Sequence, residues 1–146
     1  MNDVRDAPAL SGAEAAAALG GGRRWALVNV WRPIRRVESH PLACCDASSV
    51  LAEDLLVFAI HYADRVGENY FARHRERHRW RYFPGMSPEE VILIKQWDSQ
   101  GGLARGEGGD AGGTSTFALH SAFEDPASAA GAPDRESIEV RCLVLY

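Results

Sequence analysis

Trp25-Ala26-Leu27-Val28-Asn29-Val30-Trp31 (WALVNVW) opens the part of the sequence that decides the fold. Six further runs of the same character follow it: Leu55 to Tyr62 (LLVFAIHY), Asn69 to His74, His78 to Phe83, Val91 to Trp97 (VILIKQW), Thr116 to His120 and Ser137 to Tyr146. They are rich in Val, Ile, Trp, Tyr and Phe, whose branched and aromatic side chains suit a pleated, half-buried surface. Between them stand breakers: Arg32-Pro33, Val66-Gly67, Pro84-Gly85 and Ser87-Pro88. Short strands separated by turns predict a mainly all-β antiparallel sandwich or barrel. Ser87-Pro88-Glu89-Glu90 predicts one isolated helical turn, with Pro88 at the first helical position, where its missing N–H costs nothing.

Outward from this core, Ser11 to Leu19 (SGAEAAAAL) predicts one short helix. Ser11 is the N-cap, Glu14 its capping-box partner, and Gly20 to Gly22 the stop. The chain thus divides into residues 1–24, a helix and glycine turn, and residues 25–146, a β domain. Gln100 to Gly113 (QGGLARGEGGDAGG) holds seven glycines and almost no apolar residue, so it is expected to be a mobile loop. Its glycines match neither a phosphate-binding loop nor a dinucleotide fingerprint. Ala127 to Pro133 (ASAAGAP) reads as a second loop.

Composition narrows the function classes. A chain of 146 residues is enough for one domain with its own core. An apolar fraction of 46% and a charged fraction of 25% are those of a soluble globular protein, and no apolar run is long enough to span a bilayer. The N-terminus has neither the basic start nor the unbroken apolar stretch of a secretory signal, so a cytoplasmic location is expected. A net charge of −4 gives no general attraction to nucleic acid, although Arg73 to Arg81 is locally very basic. Cys44, Cys45 and Cys142 fit neither a disulfide framework nor a zinc site, so reduced, structural thiols are expected.

The residues that could carry chemistry run from His120 to Arg141, beginning HSAFEDP and resuming at PDRESIEVR. Alone they favour ordinary readings: a single His is more often a surface or core residue, and an Arg/Glu alternation a solvated sheet face. Other blocks change the weight: Asn29-Val30-Trp31-Arg32-Pro33-Ile34, Pro41-Leu42-Ala43, Cys45-Asp46, Asp64 to Glu68, His78-Arg79-Trp80, Tyr82-Phe83-Pro84 and Lys95 to Ser99. Over roughly Trp25 to Tyr146 these resemble, in order, a family of oxygenases. It contains the hydroxylase component of cephalosporin 7-alpha-methoxylase, the fungal gibberellin desaturase and the aspergillic-acid hydroxylase/desaturase.

The resemblance implies a double-stranded β-helix (jelly roll) that binds Fe(II) and 2-oxoglutarate and hydroxylates or desaturates a small secondary metabolite. Such a centre needs two His and one carboxylate on one face of the metal, leaving positions for the oxo acid and O2. His120 matches the distal His. Arg135 and Ser137 match the Arg-x-Ser that holds the cosubstrate carboxylate, since two-residue spacing puts both on one face of a strand and Arg offers a bidentate fork. Arg141, on the same face, is the competing anchor. Lys95 and Asp98, flanking Trp97, are weaker substrate candidates, and a surface ion pair is their ordinary reading.

The departure concerns the first two ligands. None of His40, His61 and His78 starts a His-x-Asp or His-x-Glu triplet, and His74-Arg75-Glu76, which does, falls downstream of the family's position for it. In the relatives the pair lies upstream of the NVWRPI block, where this chain has its alanine helix. The expectation is therefore a truncated, partial double-stranded β-helix, inactive or weakly active alone. Three alternatives remain: a complete oxygenase with a misplaced start, a non-catalytic remnant binding a small molecule or a partner, and a component of a methoxylation system beside a methyltransferase. Open sheet edges predict homo-oligomers, and no nucleic-acid or membrane partner is expected.

Overall fold

The computed structural model describes residues 12–20, 23–64, 66–110 and 113–146. Among the described residues an α-helix, α1 (Gly12–Leu19), falls where the alanine run predicts it, while the proposed cap Ser11 and the stop at Gly21 and Gly22 lie outside them. Single 3-10 turns, Ala47–Ser49 and Ala52–Asp54, accompany the strands β1 (Trp25–Pro33), β2 (Leu42–Cys45), β3 (Leu55–His61), β4 (Val66–Ala72), β5 (Trp80–Tyr82), β6 (Ile92–Asp98), β7 (His120–Ala122) and β8 (Ser137–Leu145). No helix among them is long and apolar enough to cross a membrane.

The strands form two antiparallel three-stranded sheets, ordered β6-β1-β8 and β5-β2-β7, and a separate hairpin of β3 and β4. This is the partial jelly roll expected from the sequence, with differences in detail. β2 (LACC) went unread, because two cysteines and an alanine carry little strand signal. The run Thr116 to His120 is not a strand: pairing starts only at His120, which faces Cys44. Residues 116–119 are instead held by single backbone bonds, Ala118 N–H to the Lys95 carbonyl (2.9 Å) and Cys45 N–H to the Leu119 carbonyl (2.8 Å).

Side-chain alternation on β1 assembles the interior. Trp25, Leu27, Asn29 and Trp31 share one face and pair with Leu145, Leu143, Arg141 and Glu139 of β8. One apolar cluster joins Trp31 and Ile94 to Leu42 of the other sheet, Val37 and Met86. A second gathers Leu27, Trp97, Leu143 and Leu145 around Trp25. Asn29 and Arg141 make a polar layer between the two. The opposite face of this sheet shows apolar side chains to solvent, Leu93 being 67% and Val140 59% exposed.

A β-bulge sets the position of Trp97. Leu27 pairs with Trp97 but Val28 pairs with Lys95, so Gln96 is an extra residue in β6. Without it, the alternation that turns Ile94 inward would turn Trp97 outward; the bulge brings the indole to the inner face beside Leu27.

The glycine-rich segment is not the mobile loop expected. Where it is described it folds tightly about a buried Asp110, whose carboxylate accepts the N–H of Leu103 (3.1 Å), the N–H of Thr116 (2.7 Å) and the Thr116 hydroxyl (2.9 Å). Ala52 N–H reaches the Gly108 carbonyl at 2.9 Å, tying the loop to the chain before β3. The glycines permit close approach here: a Cβ on Gly101 would stand 2.2 Å from Thr116 Cα.

Candidate active site

A cavity of about 930 Å³ lies beside the polar layer and is bordered by β1, β6, β8, the β3–β4 hairpin and the segment leading into β7. Its polar lining includes His120, Arg141, Lys95, Glu68 and Tyr70, and its aromatic lining Trp97 and Phe117. Three of the residues singled out in the sequence, His120, Arg141 and Lys95, therefore line one space.

The local chemistry of His120 is defined by its backbone. Nδ1 lies 2.9 Å from the Ala118 carbonyl oxygen, which can only accept, so Nδ1 carries the proton. In the neutral ring this leaves the Nε2 lone pair available, the arrangement typical of a metal-binding imidazole oriented through its other nitrogen. Arg141, held opposite Asn29 in the β1–β8 pairing, directs Nε toward the Asn29 side-chain oxygen at 3.4 Å, a long contact.

Arg135 and Ser137 are placed elsewhere. Arg135 donates from one terminal nitrogen to the His40 carbonyl (2.7 Å), and its guanidinium lies 5.5 Å from the centroid of the Trp31 ring. Its buried Nε has no partner within the protein. Ser137 opens β8 opposite Pro33. Neither residue lines the His120 cavity. Arg135 thus clips the loop carrying His40 to the loop entering β8.

Lys95 and Asp98 do form an ion pair, at 3.1 Å, but it is not a surface pair, because the Asp98 side chain is fully buried. Arg24 donates to both carboxylate oxygens (3.1 and 2.7 Å) and Gln100 N–H to one (3.0 Å), while Lys95 also reaches the Ser115 carbonyl (3.2 Å). Burial pushes the Asp98 carboxyl up; the hydrogen bonds from Arg24, Gln100 and Lys95 outweigh it and hold the group down at about 2. With these partners the cluster fastens β6 to the segment before β1. Arg24, read as part of the N-terminal segment, also has its guanidinium 4.3 Å from the Tyr146 ring centroid.

The basic stretch Arg73 to Arg81 has a similar explanation. Buried Asp54 accepts hydrogen bonds from Leu51 N–H (3.0 Å), Arg75 (3.1 Å) and Arg77 (2.6 Å), and His78 Nε2 lies 3.1 Å away. Arg79 pairs with Asp46 at 2.9 Å. His74 does not line the cavity.

Sequence reasoning missed the hairpin side of the cavity. Tyr70 donates its hydroxyl to Glu68 at 2.8 Å and packs against Phe117, ring centroids 5.1 Å apart. Burial, then the bond to Glu68, push the Tyr70 phenol up to about 12, so it stays a donor at any physiological pH. The i,i+2 spacing of Glu68 and Tyr70 was the available signal, but which strand face turns inward is not written in the spacing.

An Fe(II) site of the 2-oxoglutarate type needs three converging protein ligands. Among the described residues no three His, Cys, Asp or Glu side chains converge. These residues do not fit a complete iron centre, and they offer only one nitrogen suited to part of one.

Sheets, register and core define the class: a partial double-stranded β-helix of the oxygenase type. The structure superimposes on the iron and alpha-ketoglutarate-dependent endoperoxidase NvfI with a TM-score of 0.72 and 30% identity, over 90% of this chain and 45% of that one. A family described as "Oxidoreductase/YMDC permease-like domain" matches residues 3–145, and the chain belongs to it. It is 33% identical over 137 residues to the hydroxylase/desaturase efuI of Hormonema carpetanum, covering 86% of this chain and 42% of that protein. The aspirochlorine biosynthesis protein N of Aspergillus oryzae is 40% identical over 124 residues, with 82% and 48% covered. An alpha-ketoglutarate-dependent dioxygenase, phiK, from a fungal species is 34% identical over 125 residues, with 84% and 42% covered. The chain therefore spans a little under half the length of these relatives.

Proposed function

We propose that this chain is the cosubstrate-side portion of an Fe(II)- and 2-oxoglutarate-dependent hydroxylase or desaturase of small secondary metabolites. The observation that carries the reading is His120, its Nδ1 proton given to Ala118, lining one cavity with Arg141. His120 supplies one metal ligand, and Arg141 the cation for the remote carboxylate of 2-oxoglutarate. Arg135 and Ser137, the alternative anchor, act from outside the cavity by fixing the entry to β8. The blocks shared with the cephalosporin methoxylase, gibberellin desaturase and aspergillic-acid group support the same assignment, as do the names of the relatives.

A second reading is favoured by the absence of a ligand cluster among the described residues: a non-catalytic module of the same fold that keeps the cosubstrate pocket without holding iron. Ligand-observed NMR with 2-oxoglutarate tests the shared part. Binding is expected in the wild-type chain and in Arg135→Ala, and is expected to be lost in Arg141→Ala; no binding to the wild type overturns both readings. Anaerobic addition of Fe(II) then separates them. A visible charge-transfer band that disappears in His120→Ala supports the oxygenase, and 2-oxoglutarate binding without such a band supports the non-catalytic module.

A further inference from the structure

The aromatic and hairpin lining of the same cavity has a chemistry of its own. Trp97, Phe117 and Tyr70 form one aromatic wall, with Tyr70 and Trp97 centroids 6.5 Å apart and Trp97 and Phe117 centroids 6.4 Å apart. Beside it, Glu68 and Tyr70 project from the same face of β4, two residues apart. The single proton of the Tyr70 hydroxyl is given to Glu68, so what this pair offers a ligand is acceptors: the phenol lone pairs and the carboxylate. Lys95, the single lysine of the sequence, has its ammonium engaged by Asp98 and the Ser115 carbonyl. It therefore does not neutralise Glu68.

From this juxtaposition we infer that the part of the cavity lined by Glu68, Tyr70, Trp97 and Phe117 is a recognition subsite for a small molecule with an aromatic or otherwise apolar body and a protonated amine. The body lies against the Trp97–Phe117–Tyr70 wall, and the ammonium donates to Glu68. A charged acceptor strengthens such a bond relative to a neutral one, so an amine is preferred over the matching alcohol. The inference depends on the oxygenase reading only in calling that molecule a substrate; the subsite itself stands on the cavity.

The test uses the full chain and an isosteric probe pair, 2-phenylethylamine and 2-phenylethanol, with dissociation constants from ligand-observed NMR near neutral pH. The amine is expected to bind about tenfold more tightly than the alcohol. Glu68→Gln keeps the shape of the side chain and is expected to erase that preference while leaving the alcohol within about twofold of its wild-type affinity. Equal affinities in the wild type, or a preference that survives Glu68→Gln, overturn the subsite. Glu68→Ala serves as a second variant, with the same loss expected. The 2-oxoglutarate titration is run in parallel. An amine preference without 2-oxoglutarate binding sinks the oxygenase reading and leaves the subsite, whereas 2-oxoglutarate binding without an amine preference does the reverse.

Discussion

Asp54 and Asp98 are fully buried carboxylates, each surrounded by cations and backbone donors. For Asp54, burial raises the carboxyl's titration point, and the Leu51 N–H, His78, Arg75 and Arg77 together carry it well below the ordinary carboxylate range. Both groups titrate lower in the folded than in the unfolded chain. Their contribution is complete above the unfolded value near pH 4 and is lost as pH falls from there toward about 2, where Asp98 titrates. Acid unfolding followed by circular dichroism is expected to steepen in that window, and Asp98→Asn to flatten it. Asp54→Ala should cost about 2 kcal/mol in urea unfolding, below the ~3–5 kcal/mol of a wholly buried pair, because Arg75 and Arg77 are partly exposed and can turn to water. In Gly101→Ala the new methyl would meet Thr116 backbone as well as its side chain, so a loss of about 3 kcal/mol is expected in the same measurement. At this scale the sequence showed the charges but not the partners. Arg73 to Arg81 reads as a basic patch until the fold brings Asp54 and Asp46 against it.

Among the elements, the β3–β4 hairpin depends least on the rest of the barrel. Its two strands pair only with each other, and Tyr70 is its aromatic link to the sheet. Phe58 and Phe71 meet edge to face at 5.2 Å on a side that is more than half exposed. An isolated two-stranded ribbon is marginal in water, so amide exchange is expected to be faster in β3 and β4 than in β1, which is paired on both edges. Phe71→Ala should raise hairpin exchange further while leaving β1 unchanged. The strands rich in branched and aromatic residues, β1, β3, β6 and β8, were legible in the sequence because their composition expresses a half-buried pleat. The β6 bulge and the short β2 and β7 were not, since a bulge is a property of two strands together, LACC carries little strand signal, and HSA has no β-branched residue and no Phe, Tyr or Trp. The glycine-rich segment misled for a related reason: its apolar poverty argued for mobility, whereas a buried carboxylate and its donors supply the order.

For the molecule as a whole, the outer face of the β6-β1-β8 sheet is the feature with consequences in solution. Ile138, 57% exposed, lies there with Leu93 and Val140, next to the open edge of the nine-residue β8. Apolar patches of this kind and unpaired edges promote association. Light scattering is therefore expected to show self-association rising with concentration, and Leu93→Lys with Val140→Lys to reduce it without changing the circular dichroism spectrum. A monomer at high concentration in the wild type would count against this. The sequence by itself determined the class of fold, the family blocks and the identity of His120 and Arg141 as candidates. Composition and spacing along one chain suffice for the class of fold, while the two candidates rest on the resemblance of the blocks to an oxygenase family. Only the tertiary structure decided that Arg141 shares the cavity of His120 while Arg135 clips two loops, that Lys95 and Asp98 meet at a carboxylate that is fully buried, and that Glu68 and Tyr70 line that same cavity. Each of these depends on which strand faces which and in what register, and that is settled by packing between residues distant in sequence.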